Sequence, residues 1–514
     1  MKLSTAAQMR ELDRKAIETG IPDIVLMENA SLKSFFKILE YYGDVRGKLA
    51  VCFVGAGNNG GDALAIGRHL FNAGANVYIY MLVSEEKLNE SPKVNFTIDK
   101  NMGIPYKFVL SESDFNEELI MESDIIVDGI FGTGLSRAVE GRFKRAIELI
   151  NRSGAFIVSV DIPSGVKADT GEVMGVAVEA DLTPTFALAK PGHFLYPGRS
   201  HSGEVEAVSI STPIYLLDEF EPTFIAIDDS EIFLKEREKT AHKGNFGHLA
   251  IVGGSIGKSG AVILASKAAI KSGVGLASAV IPDCINTAFE SSITEAMSLP
   301  LKSSSGMLSK GSIEDILNFI SDKSAVCFGM GLGVSDDTKY ITKEILKVNK
   351  PLVIDADGIN CLSEFTEELK NRKKPTILTP HPKEFSRLIR QSTPEVLRKR
   401  LELVREFAEE FGVILVLKMA DTLIAEPDGK IYINTTGNVG LATGGSGDVL
   451  SGIIGSFLAQ GYDPLKSAIN GVYIHGLAAD IAIEEGFTYE SLTPTDVCEY
   501  INDSIKRIYE LNTT

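Results

Sequence analysis

Short apolar runs alternate with helical stretches along most of the chain, and this alternation limits the possible folds more than any other feature. The runs LAVCFVGAG (49–57) and GHLAIVGGS (247–255) are apolar at consecutive positions. Strands of that kind are buried on both faces, and strands separated by helices form mostly parallel sheets. The sequence therefore predicts an α/β fold. The other predicted strands cover residues 76–83, 124–132, 155–163, 180–188, 274–282, 324–333, 350–358, 375–382, 413–420 and 422–434.

The alternation is interrupted near residues 212–225 and then resumes. There the chain runs through YLLDEFEPTFIAIDDSEI into the charged stretch FLKEREKTAHKGNFG. A chain of 514 residues is long enough for two domains with separate hydrophobic cores. We therefore predict one domain over residues 1–215 and a second over residues 225–514.

The charge of the chain argues against a nucleic-acid partner. With 69 acidic and 51 basic residues the net charge is −18, whereas nucleic-acid sites neutralise phosphates with clustered Lys and Arg. Any phosphorylated ligand would be held locally, by backbone amides. The five cysteines have no paired spacing, which is typical of free thiols in the cytoplasm. No apolar leader or membrane-length segment is present, so we expect no membrane partner.

The segment VGAGNNGGDALAIGRHL places Gly55, Gly57 and Gly60 in a G-x-G-x-x-G spacing between a predicted strand and a predicted helix. That spacing is typical of dinucleotide-binding turns, but it also suits a plain tight turn that needs glycine for close backbone approach. A redox dehydrogenase would add an acidic residue after the second strand, and Glu85 and Glu86 stand near that position. The glycine spacing alone leaves both interpretations open.

The polar residues inside this turn make a redox dehydrogenase the least favoured interpretation. Two amides and a carboxylate, Asn58, Asn59 and Asp62, have no role in an ordinary redox turn. A polar loop at a helix N-terminus suits an anionic ligand, and its side-chain carbonyls are available to a monovalent cation.

Two further polar loops follow predicted strands in the same half of the chain. DGIFGTGLSR places Asp128 at a strand end, and VSVDIPSGVKADTG places Asp161 and Ser164 at the end of the next strand. In open parallel sheets ligands bind beyond the carboxyl ends of the strands, so the three loops are expected to share a site. The alternative is that Asp128 and Asp161 only cap helices.

Together with LMENA (26–30) and AKPGHFLYPGR (189–199), these loops resemble the NAD(P)H-hydrate epimerase domain, over roughly residues 5–212. The resemblance implies a Rossmann-like three-layer domain that binds K⁺ through Asn59, Asp128 and Ser164. Epimerisation at C6 of the nicotinamide ring requires a group that manages a proton, and Asp161 is the candidate. A non-catalytic nucleotide-sensing module remains an alternative. The implied hydrate-binding residues are Asn58, Asn59, Gly60, Gly61, Asp62, Gly132, Thr133, Gly134, Leu135, Ser136, Arg137, Ala138 and Asp161.

The glycine-rich segment TGNVGLATGGSGDVLSGIIGSFLAQG is the strongest single signal in the C-terminal half. Gly444, Gly445, Ser446 and Gly447 allow several backbone N–H groups to point at one anion, and the following helix dipole adds to the attraction. Asp448 then falls in the first helical turn, where a carboxylate can take a proton from a hydroxyl during phosphoryl transfer. The alternative is a plain glycine-rich turn with Asp448 as a helix-start residue.

This segment resembles the anion hole of the ribokinase-like superfamily. With 244–276, GMGLG (329–333), IDADGIN (354–360), LTPHPKEFSRL (378–388) and LKMADT (417–422), it is similar in order and spacing to ADP/ATP-dependent NAD(P)H-hydrate dehydratases. One departure is Met330, where the family usually carries proline. The resemblance assigns Ala261, Gly331, Gly333, His381 and Asp448 to the hydrate, with Asp448 catalytic, and Lys418, Met419, Ala420, Asp421, Thr422, Gly444, Gly445, Ser446 and Gly447 to the nucleotide.

The implied activity is repair of hydrated NADH and NADPH. The N-terminal domain would interconvert the R and S forms, and the C-terminal domain would dehydrate the S form with ADP or ATP and Mg²⁺ through a phosphorylated intermediate. A kinase for a small hydroxylated substrate, with an N-terminal nucleotide-binding module, is the alternative because it would use the same anion hole. His381 would otherwise be a loop residue between two prolines, and Lys418 would otherwise extend from its strand to solvent. The resemblance also implies a homo-oligomer.

Overall fold

The computed structural model describes residues 1–511, which separate into two units. One unit spans residues 2–224, and the other comprises Met1 and the chain from Ile225 onward. Each unit contains its own sheet flanked by helices. Within residues 1–511 no helix combines the length and the apolar character that crossing a membrane requires.

The N-terminal unit alternates strands and helices. Its strands are β1 Lys2–Leu3, β2 Leu49–Val54, β3 Asn76–Met81, β4 Tyr106–Phe108, β5 Ile125–Gly129, β6 Phe156–Ser159, β7 Leu182–Phe186 and β8 Glu204–Val208. Its helices are α1 Ala6–Glu18, α2 Asp23–Tyr42, α3 Asn58–Asn72, α4 Glu90–Met102, α5 Glu117–Met121, α6 Gly141–Arg152 and α7 Ile214–Asp218.

The sheet of this unit runs in the order β4-β3-β2-β5-β6-β7-β8, and all of its neighbouring strands are parallel. Residues of β2 alternate between its two faces. Cys52 and Val54 pack in one core cluster with Ile66 of α3, whereas Val51 and Phe53 pack in another with residues of α6. Helices therefore cover both faces, which confirms the predicted three-layer α/β architecture.

The C-terminal unit repeats the alternation on a larger scale. Its strands are β9 Phe224–Ile227, β10 His248–Val252, β11 Leu276–Pro282, β12 Met297–Leu301, β13 Ser303–Ser304, β14 Met307–Leu308, β15 Ala325–Phe328, β16 Leu352–Ile354, β17 Thr376–Leu378, β18 Ile414–Leu417, β19 Leu423–Ala425 and β20 Ile431–Asn434. Its helices are α8 Ser259–Lys271, α9 Asn286–Ser292, α10 Ile313–Ile320, α11 Asp336–Ile345, α12 Asp357–Leu362, α13 Pro382–Leu388, α14 Thr393–Arg398, α15 Arg400–Phe411, α16 Ser446–Ala459, α17 Pro464–Glu484 and α18 Pro494–Leu511.

The main sheet of this unit follows the order β9-β20-β19-β18-β17-β16-β15-β10-β11-β12. Strands β18 through β12 are joined in parallel, and β18-β19 and β19-β20 are antiparallel. Two glycines let α16 approach its neighbours closely. A Cβ on Gly452 would lie 2.2 Å from the Ala265 carbonyl oxygen of α8, and one on Gly455 would lie 2.1 Å from Sγ of Cys327 on β15. The middle of α16 is thereby held close to α8 and to β15.

The sequence-based strand predictions were right for the central strands and wrong at the edges. They missed β4, β8, β9 and β12, of which β4, β8 and β12 are only partly buried, so that exposed or charged residues interrupt their apolar pattern. The run at 422–434 was predicted as one strand, but it is the hairpin β19-β20, because its Pro-Asp-Gly sequence forms a turn.

Candidate active sites

A cavity of about 1080 Å³ opens at the carboxyl ends of the central strands of the N-terminal unit. The loops after β2, β5 and β6 form much of its wall, as expected for a ligand site in an open parallel sheet. The structure brings most of the predicted hydrate-binding residues to this one wall, namely Asn58, Asn59, Asp62, Gly132, Thr133, Gly134, Leu135, Ser136, Arg137, Ala138 and Asp161.

Gly60 and Gly61 are instead buried in the first turn of α3. A Cβ on Gly60 would lie 2.3 Å from the Gly55 carbonyl oxygen, and one on Gly61 would lie 2.7 Å from Sδ of Met27. Glycine is needed at these two positions because the helix start lies against β2 and α2 without room for a side chain. Gly60 and Gly61 therefore fix the position of the helix start and do not themselves line the cavity.

Asp161 adopts a left-handed backbone conformation, with φ of +64°, that non-glycine residues rarely occupy. Its Oδ1 accepts hydrogen bonds from Thr185 Oγ1 at 2.9 Å and Phe186 N at 3.0 Å, and it forms an ion pair with the buried Lys190 ammonium. Burial alone would raise the pKa of Asp161, but Lys190 and the backbone donor hold it below its ordinary value. Asp161 is therefore a fixed carboxylate on the cavity wall.

Asp128 is fully buried behind the same wall. Its Oδ2 accepts hydrogen bonds from Ser159 Oγ at 2.8 Å and Ser164 N at 2.9 Å, and Ser164 Oγ donates to Oδ1. Burial raises the pKa of Asp128, and hydroxyl and backbone N–H donors oppose that rise. The alternative in which Asp128 and Asp161 cap helices is wrong, because the next α-helix after Asp128 begins only at Gly141 and none begins directly after Asp161.

Asn59, the third predicted potassium ligand, lies at the start of α3 and packs against the loop after β5. Its amide donates to the Val160 carbonyl oxygen, and a Cβ on Gly132 would lie 2.0 Å from its Oδ1. Ser164 Oγ accepts a hydrogen bond from the Phe131 N–H at 2.8 Å in the same loop. The structure thus gathers the three predicted oxygen donors around residues 131–132.

Sequence reasoning gave no role to Lys190 or Asp13, although both line the cavity. Lys190 is fully buried and belongs to the AKPGHFLYPGR segment, where a lysine directly after a buried strand was an available signal. Asp13 lies on α1, and its sequence neighbours look like those of any amphipathic surface helix. Only the packing of α1 reveals that it faces the cavity.

In the C-terminal unit the glycine loop leads into α16 as predicted. Gly445 is the N-terminal cap of the helix with φ of +103°, Ser446 begins it, and Asp448 lies in its first turn. Burial raises the pKa of Asp448 to about 7, and the neighbouring Asp355 carboxylate raises it while the Lys418 ammonium lowers it. A carboxylate whose pKa is near neutrality can accept a proton and release it again.

Lys418 follows β18 and does not extend to solvent. Its Nζ donates to Oδ1 of Asp355 at 2.6 Å, and Ser451 Oγ of α16 donates to the other carboxylate oxygen at 2.8 Å. Burial would lower the pKa of Lys418, but Asp355 and Glu384 hold it above its ordinary value. A Cβ on Gly447 would lie 3.0 Å from this Nζ, so the ammonium stands directly beside the glycine loop.

The predicted residues Ala261, Gly331 and Gly333 lie together at the start of α8. A Cβ on Gly331 would lie 2.9 Å from Cβ of Ala261, and the Gly333 N–H donates at 2.9 Å to Asp357. Gly331 and Gly333 both have positive φ angles, and Met330, directly before Gly331, is fully buried. Met330, where the family usually has proline, thus anchors the loop in the core.

The sequence left open that His381 is only a loop residue between two prolines. In the structure it is the N-terminal cap of α13. Its Nδ1 accepts hydrogen bonds from the N–H groups of Lys383 at 3.1 Å and Glu384 at 3.3 Å. Burial and the nearby Lys418 ammonium lower the pKa of His381, so the ring is neutral near pH 7. The charges of Lys418 and Asp355 both act on the pKa of His381, so His381 lies near the ion pair beside the glycine loop.

The segment after β18 that was predicted to bind the nucleotide contains both accessible and internal residues. Ala420 is exposed and Met419 is partly buried, whereas Asp421 is buried and forms an ion pair with Arg400 at 3.1 Å. Thr422 Oγ1 donates to the Met419 carbonyl oxygen at 2.8 Å and so closes the turn. Met419 and Ala420 therefore present the accessible surface of this segment.

Asp355 and His475 were not predicted as site residues. Asp355 ends a buried strand within IDADGIN, which is the same signal that marked Asp128 and Asp161. His475 is buried on α17, where its Nε2 lies 3.2 Å from Oγ of Ser446 in the glycine loop. Burial lowers the pKa of His475 to about 4. No local motif marks it, because it reaches the loop from a helix later in the sequence.

Two family models match the chain, one within each unit. The family model described as NAD(P)H-hydrate dehydratase matches residues 249–503, and the model described as YjeF-related protein N-terminus matches residues 23–192. A crystal structure of the ADP/ATP-dependent NAD(P)H-hydrate dehydratase from Bacillus subtilis, co-crystallised with ATP and Mg²⁺, is 28% identical, with a TM-score of 0.46. It covers 54% of this chain and 94% of its own.

Curated relatives match nearly the full length. The bifunctional NAD(P)H-hydrate repair enzyme of Moorella thermoacetica is 39% identical over 493 residues, covering 94% of this chain and 93% of that protein. The enzyme of the same name from Thermofilum pendens is 37% identical over 520 residues, covering 99% of this chain and 97% of that protein. This chain therefore belongs to the family of bifunctional NAD(P)H-hydrate repair enzymes.

Proposed function

We propose that this chain repairs hydrated NADH and NADPH with two active sites. Residues 1–215 interconvert the R and S hydrates in the cavity that Asp161 lines, and residues 225–514 convert the S hydrate back to NAD(P)H with ADP or ATP. The observation that carries the dehydratase assignment is Asp448, a carboxylate with a pKa of about 7 in the first turn of α16, directly after the glycine loop. Of the two nucleotides we favour ADP.

In the dehydratase reaction Asp448 accepts the proton of the C6 hydroxyl as that oxygen takes a phosphoryl group. The N-terminus of α16 and the Lys418 ammonium stabilise the phosphate charge, because both place positive charge beside Gly447. Phosphorylation releases AMP from ADP, or ADP from ATP, and turns the hydroxyl into a good leaving group. Loss of phosphate from C6 together with a proton from C5 then restores the C5=C6 double bond of the dihydropyridine ring. Gly331, Gly333, Ala261 and His381 are proposed to position the hydrate.

The residues of this site fit a magnesium ion that is carried by the nucleotide. Mg²⁺ keeps several waters and is usually held by substrate phosphates with one or two carboxylates. Asp357 is the carboxylate that would hold it, since its charge acts on Asp448 and it therefore lies near the proposed base. When bound, the ion would screen the phosphate charges.

The residues of the epimerase site fit a potassium ion. The donors are oxygen atoms of Asn59, Asp128 and Ser164, and the Asp128 carboxylate is buried among hydroxyl and N–H donors. A monovalent cation would supply the positive charge that such a buried carboxylate requires. We propose that the ion orders the loop at residues 131–132, which also lines the hydrate cavity.

The test is to incubate the protein with hydrated NADH, ADP and Mg²⁺ and to follow the return of the NADH absorbance band. We expect full recovery from a mixture of both hydrates, free phosphate as a product, and no recovery with Asp448→Asn. A stable phosphorylated product without NADH would identify a kinase instead. Recovery of the S form only, with the R form persisting, would show that the N-terminal unit is a binding module.

We further propose that the enzyme is a homo-oligomer of the cytoplasm that acts on small molecules, without a nucleic-acid or membrane partner. A net charge of −18 opposes binding to anionic polymers, and the five cysteines are free thiols, four of them buried. Light scattering on the protein as it elutes from a size-exclusion column tests the assembly state. A monomer at micromolar concentration would contradict the proposed homo-oligomer.

A further inference from the structure

Asp13 of α1 is one of several carboxylates that line the same cavity as Asp161. Its Oδ1 is buried and has no hydrogen-bond partner within the part of the chain that the structure describes. Most buried polar atoms in folded proteins are paired, so the Asp13 carboxyl group is unusual in keeping an unused hydrogen-bonding oxygen beside the cavity. Asp161, by contrast, has its Oδ1 engaged by Thr185, Phe186 and Lys190.

The surroundings push the pKa values of the two carboxyl groups apart. Burial raises the pKa of Asp13 to about 6, and the Asp161 and Asp23 carboxylates raise it as well, while the Lys190 ammonium lowers it. Lys190 keeps Asp161 ionised, with its pKa below the ordinary value. Two carboxyl groups whose pKa values are pushed apart in one site commonly divide the roles of acid and fixed anion.

Other charged or titratable groups near the Asp13 site lie on its own helix and on neighbouring elements. Asp62 of α3 is itself buried and interacts with Asp13, and burial raises its pKa well above the ordinary value. Arg10 of α1 lines the same cavity. His193 lies behind Asp161, where burial lowers its pKa to about 4, so it is neutral near pH 7. The titration of Asp13 is thus governed by Asp161, Asp23, Asp62 and Lys190.

We propose that Asp13 supplies and recovers the proton of the epimerase reaction, while Asp161 stabilises the positive charge that forms on the ring. This inference rests on the proposed epimerase function of the cavity. The protonated Asp13 donates to the C6 hydroxyl, the C6–O bond breaks as the lone pair of the ring nitrogen forms a C6=N bond, and water leaves. The ring is then a cation, which the ionised Asp161 stabilises.

Water next adds to C6 from the opposite face of the ring. A new C6–O bond forms, the electron pair returns to the ring nitrogen, and the proton that the water loses goes back to the Asp13 carboxylate through solvent in the cavity. No proton, electron or co-reactant is consumed, as an epimerisation requires. The cavity therefore needs one group that can exchange a proton near neutral pH, and the Asp13 carboxyl meets that requirement.

The experiment uses the full chain without any nucleotide, so that the dehydratase does not run. Purified R hydrate of NADH is added, samples are quenched, and the R and S forms are separated by chromatography, with the uncatalysed rate subtracted. We expect Asp13→Asn to lower kcat by about a hundredfold or more, with a smaller change in KM. The matched control is Glu11→Gln, an exposed residue of the same helix that carries the same charge, and it should keep the wild-type rate.

A pH profile separates proton transfer from a structural role. The wild-type kcat should fall as pH rises above about 6, because the acid form of Asp13 is lost, and the residual rate of Asp13→Asn should lack that limb. If Asp13→Asn does not fold, Asp13→Glu should retain a reduced rate with the same limb. A wild-type kcat in Asp13→Asn, or a residual rate in that variant that still falls above about pH 6, would overturn the assignment of Asp13 alone. A wild-type protein that does not interconvert the hydrates would overturn the epimerase proposal as well.

Discussion

Nζ of Lys418 lies 2.6 Å from Oδ1 of Asp355, and this ion pair joins the ends of two strands beneath the glycine loop that begins α16. Asp355 is almost fully buried, with its side chain 1% exposed. Both members act on Asp448, the carboxylate raising its pKa and the ammonium lowering it. Burial and this pair together therefore set the pH range in which Asp448 can serve as a base.

The dehydratase should lose activity in acid because Asp448 must be ionised to accept a proton. With a pKa of about 7, its ionised fraction falls as pH drops below neutrality, so kcat should decline on that side. The measurement is kcat for ADP-dependent recovery of NADH from the S hydrate between about pH 5 and pH 9. A rate that stays constant from neutrality to the acid end would contradict this role for Asp448.

Substitutions in the ion pair should move that acid limb in opposite directions. Asp355→Asn removes a negative charge that raises the pKa of Asp448, so the limb should shift to lower pH, whereas Lys418→Met should shift it to higher pH. Each single change leaves a buried charge without its partner and should cost about 3–5 kcal/mol of stability. The double variant should recover much of that loss in urea unfolding, and additive losses would show that the pair is not coupled.

The sequence predicted the central strands and the loops at their carboxyl ends because consecutive apolar residues and glycine clusters leave local signals. Asp128, Asp161 and Asp448 were found in this way, each at a strand end or a helix start. Some of the residues around them were not predicted. Asp13 and His475 reach the sites from distant segments, and their positions depend on tertiary packing that no local pattern encodes.

Gly132→Ala should weaken the response of the epimerase to potassium. A Cβ at this position would lie 2.0 Å from Oδ1 of Asn59, so the amide would be displaced from the proposed ligand set. The measurement is the rate of R-to-S conversion as a function of K⁺ concentration at constant ionic strength. Gly134→Ala in the same loop is the matched control, because its Cβ would meet no atom within 4 Å, and it should keep the wild-type half-saturating concentration. Equal responses in both variants would argue against Asn59 as a ligand.

Lys190→Met should destabilise the N-terminal unit most strongly at neutral pH. Lys190 is fully buried and donates to Thr185 Oγ1 at 2.9 Å as well as to Asp161, so its loss leaves a buried carboxylate without a countercharge. Breaking such a pair costs about 3–5 kcal/mol. The matched control is Lys167→Met, which breaks a more exposed pair with Glu172 and should cost about 1 kcal/mol or less.

The pH dependence of this loss follows from the charge of Asp161. In the wild type its folded pKa lies below its unfolded value, so its contribution to stability is present above the unfolded pKa and is lost as pH falls through the folded pKa. Without Lys190 the burial of Asp161 raises its folded pKa instead, and the carboxyl group becomes neutral on acidification at a higher pH than in the wild type. The difference in unfolding free energy between wild type and Lys190→Met should therefore shrink between pH 7 and about pH 4. Urea unfolding followed through the transition of the N-terminal unit measures it, and an equal difference at both pH values would mean that Lys190 stabilises the unit by packing and not by its charge.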